Sequence, residues 1–216
     1  MKAVEFEKAC KRFHKSEYYF SRRDYLWALK DVSFSVGVGE SVGITGPNGS
    51  GKTTLMRLIA GITEPTSGKA AVNGRVVPLI RVEGALNFNL SVRENIYLLS
   101  AVFGIRKKGA KKIFDDIVDF AGVKDMVDVQ ILKLSHGMIS RVSFSIAAHI
   151  DGDILLIDEV LAVGDTGFQE QCFRKLAEMK NAGKTLFFVS NDIESIKRIC
   201  GRTIVMEGGS IVSDGA

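Results

Sequence analysis

The stretch "GITGPNGSGKTTLMRLIAG", residues 43–61, constrains the fold more than any other part of this chain. Residues Gly46 to Thr53 satisfy the pattern G-x-x-x-x-G-K-[ST] in full. The preceding "ESVGI" reads as a strand. The following "KTTLMRLIA" reads as a helix, with Gly61 placed to cap its C-terminus. A strand, a glycine-rich loop and a helix in that order form a phosphate cradle. The glycines let backbone N–H groups turn inward, and the helix N-terminus adds partial positive charge. Candidate nucleotide contacts are Gly46, Pro47, Asn48, Gly49, Ser50, Gly51, Lys52, Thr53 and Thr54. Lys52 is expected to reach the β- and γ-phosphates, and the Thr53 hydroxyl to ligate Mg²⁺.

The rest of the chain is patterned to match. "VSFSV" (32–36) alternates apolar and polar residues, as a half-buried strand does. "ILLI" (154–157) and "TLFFV" (185–189) are continuous apolar runs, which suit parallel strands covered on both faces. Helical faces are formed by Ile113, Ile117 and Phe120, and by Phe168, Cys172, Leu176 and Met179. Strands alternating with helices predict an α/β fold with a mainly parallel sheet. The middle of the chain reads as helical. The expectation is one domain over 1–216, with a core of 1–84 and 141–216 and a helical subdomain inserted at about 85–140. A chain of 216 residues is long enough to bury roughly 70% of its unfolded surface in one core.

The functions excluded follow from a few counts. Three cysteines, Cys10, Cys172 and Cys200, are too few and too scattered for a disulfide framework or a metal site, and suit a reducing compartment. The N-terminus "MKAVEFEKACKRF" has no apolar signal core, and no apolar run approaches the ~20 residues of a membrane helix. The chain is therefore expected to be soluble, or peripheral to a membrane through a partner. Net charge is +4, with basic runs at 8–15 and in "RKKGAKK" (106–112). These read as solvated faces, with anionic lipid, an acidic ligand or nucleic acid as the alternatives.

Two further motifs carry chemistry. "DILLIDE" ends a buried strand on Asp158 and Glu159. Asp158, at the strand's C-terminal end, is placed to hold Mg²⁺ through water. Glu159 is placed to polarise an attacking water as general base. "LSHGM" (134–138) opens a helical stretch, so Ser135 and Gly137 lie at a predicted helix N-terminus, an anion site without a lysine.

With "LSHGM" standing between the phosphate loop and "ILLIDE", the chain resembles the ATP-binding cassette (ABC) ATPases of membrane transporters, over essentially its whole length. The resemblance implies the P-loop ABC-ATPase fold, with an antiparallel N-terminal β part. Phe13 in "CKRF" looks like the aromatic platform for adenine. Ser135, His136 and Gly137 match the signature LSGGQ, and "AVGD" matches the D-loop, with Asp165. The resemblance also implies head-to-tail closure of two copies over two ATP molecules. The signature of one copy would complete the site of the other, and closure would drive a separate membrane permease. The wording "DEVLAVGD" and "SHGM" is similar to cassettes that export capsular polysaccharide, O-antigen or teichoic acid, and the length to their short, capsule-type members. That implies ATP and Mg²⁺ as cofactors, no nucleic-acid partner, and a place at the cytoplasmic face of the inner membrane. Export of a drug or lipid, a non-transport cassette, and a regulator that hydrolyses ATP poorly are the alternatives.

The sequence also departs from the family's pattern. The glutamine expected before "LSVREN" is missing: the usual spacing reaches Val82, with Glu83 and Asn87 the nearest polar residues. His136 replaces a signature glycine but keeps its backbone N–H. Asn191 in "FFVSND" stands where the family has a catalytic histidine, and could instead cap the helix that follows. The insert "HKSEYYFSRRDY" carries Tyr18, Tyr19, Phe20 and Tyr25. It reads as a hairpin packed on its own domain, or as a face turned to the permease, sugars or lipid headgroups.

Overall fold

A computed structural model describes residues 1–14, 25–79, 82–158 and 165–215. The chain divides into two compact units. The first comprises 1–76, 153–159 and 179–216, and the second 77–152 and 160–178.

The first unit opens with β1 (Lys2–His14) and β2 (Tyr25–Gly37), which pair antiparallel, with β4 (Ser67–Val72) antiparallel on the other side of β1. In β2 the alternation is realised: Val32, Phe34 and Val36 are buried in the core and Ser33 is exposed. Phe6 of β1 stacks on Phe34 across the pair, with ring centroids 4.9 Å apart.

The unit's second sheet holds β6 (Ile154–Ile157), β7 (Thr185–Val189), β3 (Ser41–Thr45), β8 (Arg202–Glu207) and β9 (Ser210–Gly215), side by side in that order. The first four run parallel, and β9 returns antiparallel on β8. Every residue of β3, β6 and β7 is buried, as the apolar runs 154–157 and 186–189 require of strands covered on both faces, and β3 buries Ser41 and Thr45 at its ends as well. β3 begins one residue later than the expected "ESVGI". Arg202 ties the sheet edges together, with its guanidinium on Asp214, Glu40 and the Ser35 carbonyl.

Helix α1 (Lys52–Ile59) follows β3 through the glycine loop. It ends in a Schellman turn, in which Ile62 N–H donates to Arg57 O and Gly61 N–H to Leu58 O. Gly61, at φ 69°, is therefore the left-handed residue one step beyond the cap Ala60.

Strand β5 (Val76–Pro78) spans the boundary between the units. The second unit is helical: α2 (Val92–Val102), α3 (Lys107–Ala121), α4 (His136–Ala148) and the body of α5 (Thr166–Asn181). Phe120 of α3 packs against Phe144 of α4, Phe168 of α5 and His149, all with centroids within 6.0 Å. Burial pushes the His149 imidazole below its ordinary value, so it stays neutral in this aromatic cluster. The start of α2 is set by a full capping box, Ser91 with Glu94. Behind it the fully buried Asn95 donates to Asn87 O, Leu90 O and Ser91 O and accepts from Asn87 N–H, fixing the loop at 87–91.

Candidate nucleotide site

The first unit assembles the phosphate loop from its sheet topology. Strands β6, β7 and β3 are adjacent and parallel, so their carboxyl ends share one sheet edge. Gly46 lies just past the end of β3, Asp158 just past β6, and Ser190 and Asn191 just past β7. Ser190 N–H donates to Ile44 O (3.2 Å), which holds the β7 end beside the loop's entry. The carboxyl edge of a parallel sheet is where such folds bind ligands.

The loop itself is shaped by three left-handed glycines, Gly46 (φ 142°), Gly49 (80°) and Gly51 (105°). Two of them also lie too close to neighbouring backbone for any side chain. A Cβ on Gly46 would fall 2.0 Å from Met206 O, and one on Gly51 2.6 Å from Ala28 O. The loop is supported from beneath by the β8–β9 turn, since Gly209 N–H donates to Ser50 O and Gly209 O accepts from Lys30 N–H. These supports in β2 and the β8–β9 turn carry no motif, and only chain topology brings them under the loop. Ser50 N–H donates to Pro47 O (3.1 Å), closing the turn that presents Pro47, Asn48 and Gly49 to solvent.

Lys52 Nζ reaches back over the loop to Gly46 O (2.5 Å) and Pro47 O (3.1 Å). This puts the ammonium at the loop's mouth rather than in solution. Gly51 supplies no side-chain cap to α1, so the first-turn N–H groups at Lys52, Thr53 and Thr54 have no capping oxygen there. The Ser50 hydroxyl, on a residue only 2% exposed, has no hydrogen-bond partner among the described residues. Uncapped backbone donors at the helix start, a lysine drawn over the loop and a buried hydroxyl suit a polyphosphate. The exposed Thr53 hydroxyl and the half-buried Asp158 supply oxygens of the kind Mg²⁺ takes.

Other expected contacts fall as follows. Phe13, near the end of β1, is 37% exposed and faces Leu26 of β2, with Lys11 Nζ 5.4 Å from its ring. The ring is thus available for stacking. Tyr25 and Trp27 instead both contact Arg12, whose guanidinium carbon lies 4.0 and 5.6 Å from their ring centroids. Asn191 is exposed at the carboxyl edge but does not cap α6 (Ile193–Ile199). Asp192 does, accepting from the N–H groups of Glu194 and Ser195, which corrects the alternative role raised for Asn191. Those bonds, led by the Ser195 hydroxyl, hold the Asp192 carboxyl below its ordinary value. Glu159, residues 15–24 of the aromatic insert, and the side chains of Val82 and Glu83 lie outside the described residues. Asn87, the remaining polar candidate in that region, serves Asn95.

The signature residues belong to the second unit. Ser135 is the N-cap of α4, its hydroxyl accepting from Met138 N–H (3.3 Å). His136 and Gly137 open the helix, and a Cβ on Gly137 would meet nothing within 4 Å, so that side is open. Asp165 accepts from Phe168 N–H at the start of α5 and pairs with Arg141 of α4. The Phe168 N–H, with the guanidinium after it, holds this carboxyl below the ordinary carboxylate range. Arg141 also lies over the Phe168 ring, 5.0 Å from its centroid. The sequence pattern did not single Arg141 out. Its place about two turns before the end of α4, with Asp165 across from it, emerges only in the packed unit.

Comparison with known proteins agrees with this geometry. The family model described as ABC transporter matches residues 29–162, well over half the chain. The chain belongs to the ABC transporter family. It is 40% identical over 185 residues to the O-antigen export system ATP-binding protein RfbB of Klebsiella pneumoniae, spanning 86% of this chain and 75% of that one. It is 42% identical to the teichoic acids export ATP-binding protein TagH of Enterococcus faecalis, over 86% of this cassette but only 41% of TagH. A dimeric ATP-binding cassette in a post-hydrolysis state with ADP and phosphate superposes with a TM-score of 0.84 at 22% identity, covering 98% of this cassette and 97% of that chain. The cassette is thus an ABC ATPase, homologous to the ATP-binding subunits of O-antigen and teichoic acid export. No described helix is long and apolar enough to cross a membrane.

Proposed function

We propose that the cassette is the ATP-hydrolysing subunit of a two-component exporter of a cell-surface polysaccharide, working as a head-to-tail pair at the cytoplasmic face of the membrane with an integral permease. The observation that carries the reading is the phosphate loop at the carboxyl edge of β3, with Lys52 drawn over its mouth and Asp158 and Asn191 on the same edge. The polysaccharide assignment is supported by 40% identity to an O-antigen export subunit across most of both chains.

Within this reading the residues divide the work. Gly46 to Thr54 hold the phosphates through backbone N–H groups, and Lys52 neutralises the charge that develops on the transferred phosphoryl group. Thr53 and Asp158 hold Mg²⁺, which offsets phosphate charge when bound. Glu159 accepts a proton from the attacking water. Asn191 donates from its side-chain amide toward the γ-phosphate, where a neutral group cannot add charge. Phe13 stacks on adenine. The second unit serves as the helical subdomain, and Ser135, His136, Gly137 and Asp165 complete the partner copy's site.

The test is genetic and biochemical together. The cassette should co-purify with a membrane protein encoded beside glycosyltransferases. Deleting its gene should make an undecorated polysaccharide accumulate inside the cell. Accumulation of a lipid or sensitivity to a drug, with surface glycan intact, would reassign the cargo while leaving the ATPase in place.

A further inference from the structure

We infer that the N-terminal end of α3, with the adjoining edge of α2, is a binding surface for anionic phospholipid. Arg106, Lys107, Lys108, Lys111 and Lys112 place five cations within seven residues, all exposed. None of them is in an ion pair among the described residues.

Local stability does not explain the cluster. A helix favours carboxylates in its first turn and cations in its last. Helix α3 does the reverse: its first turn has no acidic residue and its last turn no basic one, while Asp115, Asp116 and Asp119 lie in its second half. Arg106 supplies no side-chain cap. Both ends thus carry the sign the helix dipole disfavours, and an external anion at the basic end relieves the mismatch.

Exposed apolar groups beside the cations select the kind of anion. Val102 of α2 is 69% exposed and Leu98 37%. A groove of about 640 Å³ runs between the helices, lined by Glu94, Tyr97, Leu98, Ala101, Ile105 and Lys107. Cations beside exposed Leu98 and Val102, with the half-buried Tyr97 and Ile105 lining the groove next to them, match a membrane interface, where headgroups take the charge and acyl chains the apolar side chains. Nucleic acid offers such apolar groups little. An acidic protein loop is the competing occupant, and the test includes it.

Flotation of the whole cassette with vesicles decides the matter, and it does not depend on the transport reading because no nucleotide or permease is added. The cassette should float with phosphatidylcholine vesicles only when phosphatidylglycerol is included, and should be released at about 1 M salt, where screening acts within ~3 Å. Soluble glycerol phosphate should not compete. Replacing Lys107, Lys108, Lys111 and Lys112 with Gln should cut binding at least about tenfold, since each cation near an anionic surface contributes severalfold. The corresponding Arg set should keep it. Val102→Ser should weaken binding while leaving its salt dependence unchanged. Basal ATPase should stay near wild type in all of them, and none should melt lower than wild type; the Gln set should melt slightly higher, because it removes the dipole mismatch at the start of α3. The inference is overturned if the cassette ignores phosphatidylglycerol, if the Gln set floats like wild type, or if poly-glutamate displaces the vesicles and Val102→Ser has no effect.

Discussion

Lys52 illustrates how one side chain can be essential to turnover and dispensable to folding. Among the described residues its ammonium bonds to Gly46 O and Pro47 O alone, two carbonyls of the glycine loop. Lys52→Ala leaves no buried charge behind, so the melting temperature should hold. Without its counter-charge, hydrolysis should fall by at least ~10²-fold, the scale seen when one transition-state donor is removed. Steady-state ATPase and thermal melting on the same preparation check this; near-normal turnover would remove Lys52 from the site. Asn191 makes a finer test. Because Asp192 caps α6, a change at Asn191 should not loosen that helix. Asn191→Ala should lower turnover at unchanged melting temperature, and Asn191→His, which adds a titratable donor, should raise it. An Ala variant that melts early at normal turnover per folded molecule would return Asn191 to a structural role.

At the scale of elements, caps and supports decide what the sequence discloses. The phosphate loop was legible because its glycines, lysine and threonine are contiguous and flanked by a strand and a helix. β6 and β7 were legible because unbroken apolar runs of strand length fit a sheet covered on both faces. The bed beneath the loop was not. Ala28, Met206 and Gly209 contribute backbone atoms, which leave no trace in side-chain pattern. Nor was the choice of cap for α6, since Asn191 and Asp192 are both good N-cap residues and only the chain's entry angle selects the second. Two consequences follow for caps. Ser91→Ala should cost about 1 kcal/mol, because it removes both the acceptor for Glu94 N–H and a partner of the Glu94 carboxylate, and chemical denaturation should register it. Asp192, with its folded pKa depressed, contributes stability that is present above the unfolded value of about 3.9 and is lost as pH falls through the lowered one. The melting-temperature gap between wild type and Asp192→Ala should therefore close as pH drops below about 4, and a gap that is flat with pH would assign the cap to something other than the carboxylate.

For the whole molecule, the decisive fact is the distribution of site residues. Gly46 to Thr54, Asp158 and Asn191 belong to the first unit. Ser135, His136, Gly137 and Asp165 belong to the second. Each set has half of what phosphate chemistry requires. The first has a lysine and a carboxylate edge. The second has an open helix start with no lysine. If the signature of one copy closes on the loop of another, two complete sites exist only in the pair, and nucleotide is the material that joins them. Hydrolysis would then limit the lifetime of the pair. Glu159→Gln removes the proton acceptor while leaving the phosphate contacts and Asp158 in place, so ATP should bind and persist. Size-exclusion chromatography with ATP should show this variant as a dimer and wild type as mostly monomer. Adding Ser135→Arg, which puts a bulky cation at the α4 start, should return it to monomer without loss of ATP binding. A Glu159→Gln protein that is saturated with ATP and still monomeric, alone and with its permease, would argue that the two residue sets never meet between copies.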